Sequence, residues 1–142
     1  EKAIQNSKKV AMTLSDLFCV ERHKSNFLDL LKNKLDITFA NEQEIMSLIN
    51  VKNFKDVINF AKEIKKLIVV TRGEKGALAI SGKEVIECSA GKNLQIKDLT
   101  GAGDLFAGGF LHGYVNGKSL KESLETGTEM SSKIIQIIGA RL

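Results

Sequence analysis

A layered α/β fold is predicted by the way short apolar runs alternate with amphipathic stretches along the chain. The run Leu67–Thr71 is rich in β-branched residues, which is typical of a strand that is buried on both faces of a parallel sheet. Before it, residues 53–66 carry apolar side chains at helical spacing. After it, Ala77–Ser81 and Glu84–Cys88 flank Gly82-Lys83, a Gly-first pair that favours a type II′ hairpin turn. We therefore expect helices packed on a mostly parallel sheet that carries a β-hairpin.

The first third of the chain predicts two strands and two helices. Residues 9–14 form a short apolar run that stops at the polar pair Ser15-Asp16, as a strand followed by a loop would. Residues 25–34 place their apolar side chains on one face, with Ser25 as the expected N-cap of a helix. Residues 35–40 then predict a second strand, and the next helix is expected to open at Asn41.

The last third predicts two further helices. One starts at residues 101–104 and runs to Asn116-Gly117, a pair that suits a left-handed C-cap. The other starts at Ser119, which stands three residues before Glu122 as in a capping box. We expect this last helix to reach Gly139, with Ile137 and Ile138 on its apolar face.

Composition sets limits on the class of protein. The chain has 142 residues, of which 43% are apolar and 27% charged, so it can form one domain with a hydrophobic core. Its net charge of +4 comes from scattered lysines, not from the basic stripe that nucleic-acid binding requires. Cys19 and Cys88 lack the spacing of a disulfide framework or a zinc site. No apolar run approaches the roughly 20 residues of a membrane helix. We expect a cytoplasmic protein with a small-molecule substrate.

The strongest chemical signal is Thr100-Gly-Ala-Gly-Asp104 at the start of a predicted helix. Glycines at a helix start allow close approach of a ligand, and the free amides with the positive end of the helix dipole attract an anion such as phosphate. A carboxylate at Asp104 would repel that anion unless it accepts the proton of an attacking hydroxyl. The alternative is a glycine-rich turn followed by an ordinary acidic residue in the first helical turn, and the motif alone leaves both interpretations open.

Two further polar segments each follow a predicted strand. Thr71, Gly73 and Gly76 follow the buried strand, where open α/β sheets bind their ligands. A tight connection that needs glycine dihedrals explains the same residues. Asn41 and Glu44 have the spacing of a capping box, and their oxygens also suit a water-coordinated Mg²⁺ and the phosphates beside it. Both roles can hold together.

Taken together, these segments resemble the ribokinase or PfkB-like carbohydrate kinase family. Its Asp-Thr-x-Gly-Ala-Gly-Asp signature is matched by residues 98–104, its Asn-x-x-Glu motif by Asn41 and Glu44, and its Thr-x-Gly-x-x-Gly loop by residues 71–76. Leu99 stands where the signature has threonine, a departure that is similar to adenosine-kinase-like members, as are residues 15–23.

The resemblance implies a three-layer α/β/α fold and ATP-dependent transfer of phosphate to a hydroxyl of a sugar or nucleoside, such as adenosine or ribose. It implies that Asp104 is the catalytic base and that the amides of Gly101, Ala102 and Gly103 form an anion hole. It implies that Glu44 orders Mg²⁺. The resemblance also implies an ATP site that is formed by Asn41, Thr71, Gly73, Gly76 and Thr128. Asp98 would lie where some members bind a monovalent cation such as K⁺.

The family's N-terminal half, with its lid and most substrate contacts, has no counterpart here. We therefore expect residues 1–142 to be the C-terminal nucleotide-binding part of a single kinase domain, inactive alone, and we read residues 3–8 as the tail of a helix. A non-catalytic nucleotide-binding or regulatory module with the kinase fold is the alternative. A dinucleotide-binding enzyme ranks last, because no Gly-x-Gly-x-x-Gly follows the first strand.

Overall fold

Five strands form one sheet in the computed structural model, which describes residue 5 and residues 7–141. Their order in the sheet is their order in the chain: β1 (Ala11–Thr13), β2 (Ile37–Asn41), β3 (Leu67–Thr71), β4 (Ala77–Ser81) and β5 (Glu84–Cys88). β1 and β2 are parallel, with Ala11 opposite Ile37. The connections from β3 to β4 and from β4 to β5 are too short for a crossover, so these pairs are antiparallel and the sheet is mixed. The helical tail predicted at residues 3–8 lies partly outside the described residues.

Six α-helices accompany the sheet in the described part of the chain. They are α1 (Leu17–Arg22), α2 (Lys24–Asp29), α3 (Glu42–Ile49), α4 (Phe54–Ile64), α5 (Ala102–Val115) and α6 (Leu120–Ile134). A π-helical turn, Leu30–Lys34, extends α2, and a 3₁₀ turn, Gly73–Lys75, follows β3. None of the helices in the described residues has the length and apolar character needed to cross a membrane.

The α/β class, the hairpin and both capping boxes are confirmed, whereas two local predictions near the start of the chain are wrong. The helix predicted at residues 25–34 begins one residue earlier, and Ser25 lies inside it instead of capping it. α1 was not predicted at all. Its N-cap is Asp16, whose Oδ1 accepts a hydrogen bond from the Cys19 amide at 2.8 Å, and the helix buries Val20.

The last helix ends at Ile134, five residues before the predicted end at Gly139. The Ile135 carbonyl accepts hydrogen bonds from the amides of Lys97 at 2.8 Å and Asp98 at 3.3 Å, where a longer helix would use its own backbone. Ile138 is therefore 84% exposed and does not lie on a buried helical face.

The chain divides into two compact units. The first runs to Val70 and includes Ile80–Val85. Its core gathers side chains from the strands and from α1, α3 and α4, and four successive residues of β3 are buried, which explains the uninterrupted apolar run in the sequence. The fully buried members of this core are Leu14, Val20, Leu31, Ile45, Val57, Ala61, Ile68, Val70 and Ile80.

The second unit comprises Thr71–Ala79 and the chain from Ile86 onwards, and close packing of α5 on α6 organises it. A Cβ atom at Gly109 would lie 2.9 Å from the Thr126 carbonyl oxygen, and one at Gly127 would lie 2.7 Å from the Phe106 carbonyl oxygen. Both glycines therefore allow the two helix backbones to approach, and this packing fixes the N-terminal end of α5.

Candidate active site

A cavity of about 620 Å³ lies within the second unit. Its wall brings together six of the predicted site residues from three separate segments. The loop after β3, the start of α5 and the middle of α6 contribute Thr71, Gly73, Gly76, Ala102, Gly103 and Thr128. The coil between β5 and α5 supplies half of the remaining lining residues, namely Ala90, Gly91, Asn93, Leu94, Ile96 and Leu99.

The N-terminus of α5 opens on this cavity without a side-chain cap. Its N-cap is Gly101, which has φ of +78°, a conformation that glycine adopts without strain. The Ala102 amide donates to the Leu99 carbonyl at 3.2 Å. The amides of Gly103 and Asp104 have no hydrogen-bond partner among the described residues. The two amides available to an anion are thus those of Gly103 and Asp104, while the Ala102 amide is already engaged.

Gly101 and Gly103 differ in whether the fold leaves space for a side chain. A Cβ atom at Gly101 would lie 3.0 Å from the Ala140 Cβ, so the fold itself requires glycine there. A Cβ atom at Gly103 would meet nothing within 4 Å, so no contact in the described protein requires a glycine at that position. The open space beside the Gly103 amide is available to a ligand.

Asp104 lies in the first turn of α5 and is exposed. Its carboxylate makes no hydrogen bond and no ion pair with the described residues. An unpaired carboxylate one residue beyond the free Gly103 amide can accept a proton from a ligand that the helix terminus holds.

The loop after β3 combines one glycine that the fold requires with one that it leaves open. Gly76 has φ of +88°, and a Cβ atom there would overlap the Cys88 carbonyl oxygen. Gly73 has φ of +56°, with nothing within 4 Å of an added Cβ. The Arg72 amide donates to the Gly76 carbonyl at 2.8 Å and closes the turn. The structural explanation therefore suffices for Gly76, whereas Gly73 contributes an open edge of the cavity.

Thr128 places a hydroxyl on the cavity wall, 3.6 Å from the Cys88 sulfur. Ser131 and Ser132, three and four residues further along α6, line the same cavity. Sequence reasoning missed these two serines, although their helical spacing from Thr128 was a usable signal. Apolar side chains with a few hydroxyls form the kind of wall that binds a planar heteroaromatic base.

Asp98 precedes α5 and has both carboxylate oxygens engaged. Oδ1 accepts from the Thr100 hydroxyl at 2.6 Å and the Thr100 amide at 2.9 Å, and Oδ2 accepts from the Gly139 amide at 3.0 Å. These hydrogen bonds, that of the Thr100 hydroxyl above all, lower the pKa of Asp98 to about 2.

Asn41 and Glu44 lie in the first unit at the start of α3. Asn41 Oδ1 accepts from the Glu44 amide at 2.8 Å, Glu44 Oε2 accepts from the Asn41 amide at 2.9 Å, and Asn41 Nδ2 donates to Glu44 Oε1 at 2.8 Å. Glu44 is only 5% exposed. Burial raises the pKa of its carboxyl, against the Asn41 hydrogen bond, and the nearby charge of Asp16 raises it further.

This arrangement fits a role beside a divalent cation. Each Glu44 oxygen accepts one hydrogen bond from Asn41, and a carboxylate has about four lone-pair positions, so acceptor capacity remains. A carboxylate with an amide oxygen is the hard donor chemistry that Mg²⁺ takes, often through water. No cluster of three or more His, Cys, Asp or Glu side chains suited to a metal is present among the described residues.

The whole chain, residues 1–142, matches the profile described as pfkB family carbohydrate kinase. The chain belongs to this family.

The solved and curated relatives of this chain include kinases of nucleosides and sugars. The adenosine kinase of Sinorhizobium meliloti superposes with a TM-score of 0.91 at 41% identity, covering 94% of this chain and 41% of that one. The ribokinase of Arabidopsis thaliana, solved with ribose and ATP, superposes with a TM-score of 0.70 at 30% identity, covering 78% of this chain and 38% of that one. The cytidine kinase of Thermococcus kodakarensis is 36% identical over 113 residues, which are 76% of this chain and 41% of that protein.

The chain therefore spans less than half the length of each of these pfkB family relatives. The likeness confirms the ribokinase-like fold expected from the three sequence motifs. The roles of the individual site residues stay predictions.

Proposed function

We propose that this chain is the nucleotide-binding part of a kinase that transfers the γ-phosphoryl group of ATP to a hydroxyl of a nucleoside or a sugar. One observation carries the proposal. Ala102 and Gly103 line the cavity of the second unit at the uncapped start of α5, and the next residue, Asp104, carries a carboxylate that is unpaired among the described residues. Membership of the pfkB family supports it.

In this proposal the cavity holds the nucleotide. The base lies between the apolar coil and the hydroxyls of Thr128, Ser131 and Ser132. Thr71 and Gly73 border the cavity at the loop after β3. The Arabidopsis relative supports ATP as the donor, because it was solved with ATP and ribose bound.

Phosphoryl transfer needs positioning and charge stabilisation more than covalent chemistry from the protein. The amides of Gly103 and Asp104, with the positive end of the α5 dipole, stabilise negative charge on the transferred phosphoryl oxygens. These amides are pre-organised, because the packing of α5 on α6 fixes the helix and Gly101 fixes its first turn.

Asp104 acts as the base. The acceptor hydroxyl oxygen forms a bond to the γ-phosphorus, the bond from that phosphorus to the bridging oxygen of the β-phosphate breaks, and the hydroxyl proton passes to the Asp104 carboxylate. ADP leaves with the former bridging oxygen. An exposed carboxylate without a competing cation or donor is suited to take this proton.

Asn41 and Glu44 would hold Mg²⁺ through water, and the ion when bound would supply the positive charge that phosphoryl chemistry uses. The raised pKa of the Glu44 carboxyl reflects a buried negative charge that lacks a cationic partner in the described protein, which a nearby cation would stabilise.

We propose, from the resemblance of its motifs, that the chain is the C-terminal part of a single kinase domain. The relatives are more than twice as long as the segment that it matches, which supports a partial domain. The acceptor class is a nucleoside or a sugar, since relatives above 35% identity include an adenosine kinase and a cytidine kinase as well as a probable sugar kinase of Rhizobium etli at 42% identity and an ATP-dependent 6-phosphofructokinase at 39% identity.

The test is Asp104→Asn in the protein as its gene encodes it, assayed with ATP and Mg²⁺ against adenosine, cytidine and ribose. We expect kcat to fall by about 10²-fold or more, because loss of a general base removes that much, while KM for ATP changes little. Glu129→Gln is the matched control, since Glu129 is an exposed carboxylate of α6 whose ion pair is with Lys133, at 2.7 Å.

Turnover by Asp104→Asn within about threefold of the unmodified protein would show that Asp104 is not the base. ATP binding by calorimetry with no product from any acceptor would instead support the non-catalytic nucleotide-binding module.

A further inference from the structure

The Asp98 carboxylate joins two segments of the second unit that lie 41 residues apart in sequence. Oδ1 holds the amide and the hydroxyl of Thr100, and Oδ2 holds the Gly139 amide. A single side chain thus shapes the turn before α5 and connects it to the segment that follows α6.

Neighbouring backbone contacts reinforce this connection. The amides of Lys97 and Asp98 both donate to the Ile135 carbonyl. Ala140 occupies the space beside Gly101, where an added Cβ would lie 3.0 Å from the Ala140 Cβ. Gly139 has φ of +95°, a conformation that glycine adopts readily, in the turn that presents its amide to Asp98.

The connection leads directly to the proposed anion site. Thr100 precedes the N-cap Gly101, and the free amides of Gly103 and Asp104 follow within one helical turn. With the Thr100 amide and hydroxyl held by Asp98, the turn that leads into α5 is held in place, and with it the backbone amides of Gly103 and Asp104. A displacement of about 1 Å at such groups can lower turnover by on the order of 10²-fold.

The same hydrogen bonds argue against a cation at Asp98. A carboxylate has about four lone-pair positions, and three hydrogen bonds to Asp98 already occupy most of them. All three donors point hydrogens, the positive ends of their bonds, at the carboxylate oxygens that a monovalent cation would need. The residues present therefore do not fit a cation ligand at this carboxylate.

We propose that Asp98 is a positioning residue for phosphoryl transfer, which holds Thr100 and Gly139 together and so aims the start of α5, and that it does not bind a monovalent cation. This inference rests on the proposed function. It predicts that the turn after α6 is part of the catalytic apparatus although it touches no substrate.

The test uses three variants of the full gene product: Asp98→Asn, Thr100→Val and Thr100→Ser. Asp98→Asn replaces one acceptor oxygen with an amide donor, so it cannot hold Thr100 and Gly139 at once. We expect kcat to fall by about 10-fold or more, with KM for ATP within about threefold. Thr100→Val should lower kcat in the same direction, and Thr100→Ser, which keeps the hydroxyl, should restore it. Glu129→Gln is the matched control on α6.

Potassium, sodium and tetramethylammonium chlorides, compared at equal ionic strength, should give the unmodified protein equal turnover. A requirement for potassium that Asp98→Asn abolishes would overturn the proposal, because Asp98 would then be a cation ligand. Unchanged kcat in Asp98→Asn, or equal loss in Thr100→Val and Thr100→Ser, would also overturn it.

Amide hydrogen exchange supplies a readout that does not need turnover. Exchange of the Gly139 amide should accelerate by about 10-fold or more in Asp98→Asn, because its acceptor is lost, and unchanged exchange would refute the connection. Absence of turnover in the unmodified protein would refute the proposed function alone. The two failures are therefore distinguishable.

Discussion

The first turns of α3 and α5 differ in how their free backbone amides are satisfied. At α3, Asn41 and Glu44 cap each other's backbone amides, and Glu44 is buried in the process. At α5, Gly101 offers no side chain, and the amides of Gly103 and Asp104 stay without a partner in the described protein. Every helix begins with amides that lack an intrahelical acceptor, so the difference lies in what is left to satisfy them.

This difference separates stability from binding. A side-chain cap typically contributes about 1 kcal/mol to stability, and the α3 start obtains that contribution. The α5 start forgoes it and leaves its amides to solvent or to an anion. The start of α6 resembles that of α3, because Ser119 and Glu122 form a second capping box. The uncapped start of α5 borders the cavity.

The largest effect is expected from adding one methyl group at the α5 start. Gly103→Ala places a Cβ where the described protein has no atom within 4 Å, so the fold should tolerate it. The methyl group would occupy space beside the free amides and hinder the phosphoryl group. We expect kcat/KM to fall by about 10²-fold, as on losing a donor of an anion hole, while stability stays equal or rises by up to about 1 kcal/mol. Steady-state kinetics and urea denaturation measure the two effects.

Gly108→Ala is the matched control for this variant. Gly108 lies in the same helix, and an added Cβ there also meets nothing within 4 Å, but Gly108 does not line the cavity. It should show the stability change without the kinetic loss. Equal kinetic loss in both variants would mean that the α5 start has no special role.

A smaller effect, on stability, is expected at the capped start. Asn41→Ala removes the side chain that accepts from the Glu44 amide and donates to Glu44 Oε1. The lost cap costs about 1 kcal/mol, and the buried carboxylate that loses a donor adds a further cost of about 1 kcal/mol or more. Denaturation by urea at neutral pH should show a loss of about 2 kcal/mol.

Ser119→Ala on α6 provides the comparison, because its capping box is exposed. Its cost should be about 1 kcal/mol, so Asn41→Ala should be the more damaging of the two. If the two variants lose the same stability, burial of Glu44 adds nothing to the α3 cap.

Local chemistry made much of the fold predictable. The hairpin strands were placed to the residue, because Gly82 supplies the required turn conformation, with φ of +57°, between two β-prone runs. α1 was missed, because its six residues are too few to show a helical period, and the Asp16 cap with the buried Val20 stabilises it. The end of α6 was misplaced, because residues 97–98 bind the Ile135 carbonyl, a contact that sequence spacing does not reveal.

For the candidate site, too, local sequence patterns predicted some features and tertiary contacts determined the others. The motif predicted which helix start would be glycine-rich and that Asp104 would stand in its first turn. It could not predict that the Ala102 amide is engaged by Leu99, or that Gly139 contacts Asp98 across 41 residues. Short-range patterns therefore located the site, and tertiary contacts determined which of its groups are free.

The smallest effect that tests the contrast between the two helix starts is the pH dependence contributed by Glu44. Burial raises the pKa of this carboxyl above its ordinary value of 4.5, so the folded protein binds the proton more tightly than the unfolded chain does. Between the two pKa values the unfolded state holds fewer protons, and stability falls as pH rises through that window.

Glu44→Gln removes this titration. The difference in free energy of unfolding between Glu44→Gln and the unmodified protein should therefore shift in favour of the glutamine variant as pH rises from 4.5, and become constant above the raised pKa. A pH-independent offset is expected as well, because the new amide faces Asn41 Nδ2, so the slope and not the offset is diagnostic.

Urea denaturation across this pH range measures the slope. Glu129→Gln is the control, because it removes an exposed carboxylate whose pKa is lowered by Lys133. A difference that moves in favour of the glutamate as pH rises would mean that the α3 start holds its carboxylate as a stable anion, and that the two helix starts do not differ in the way described.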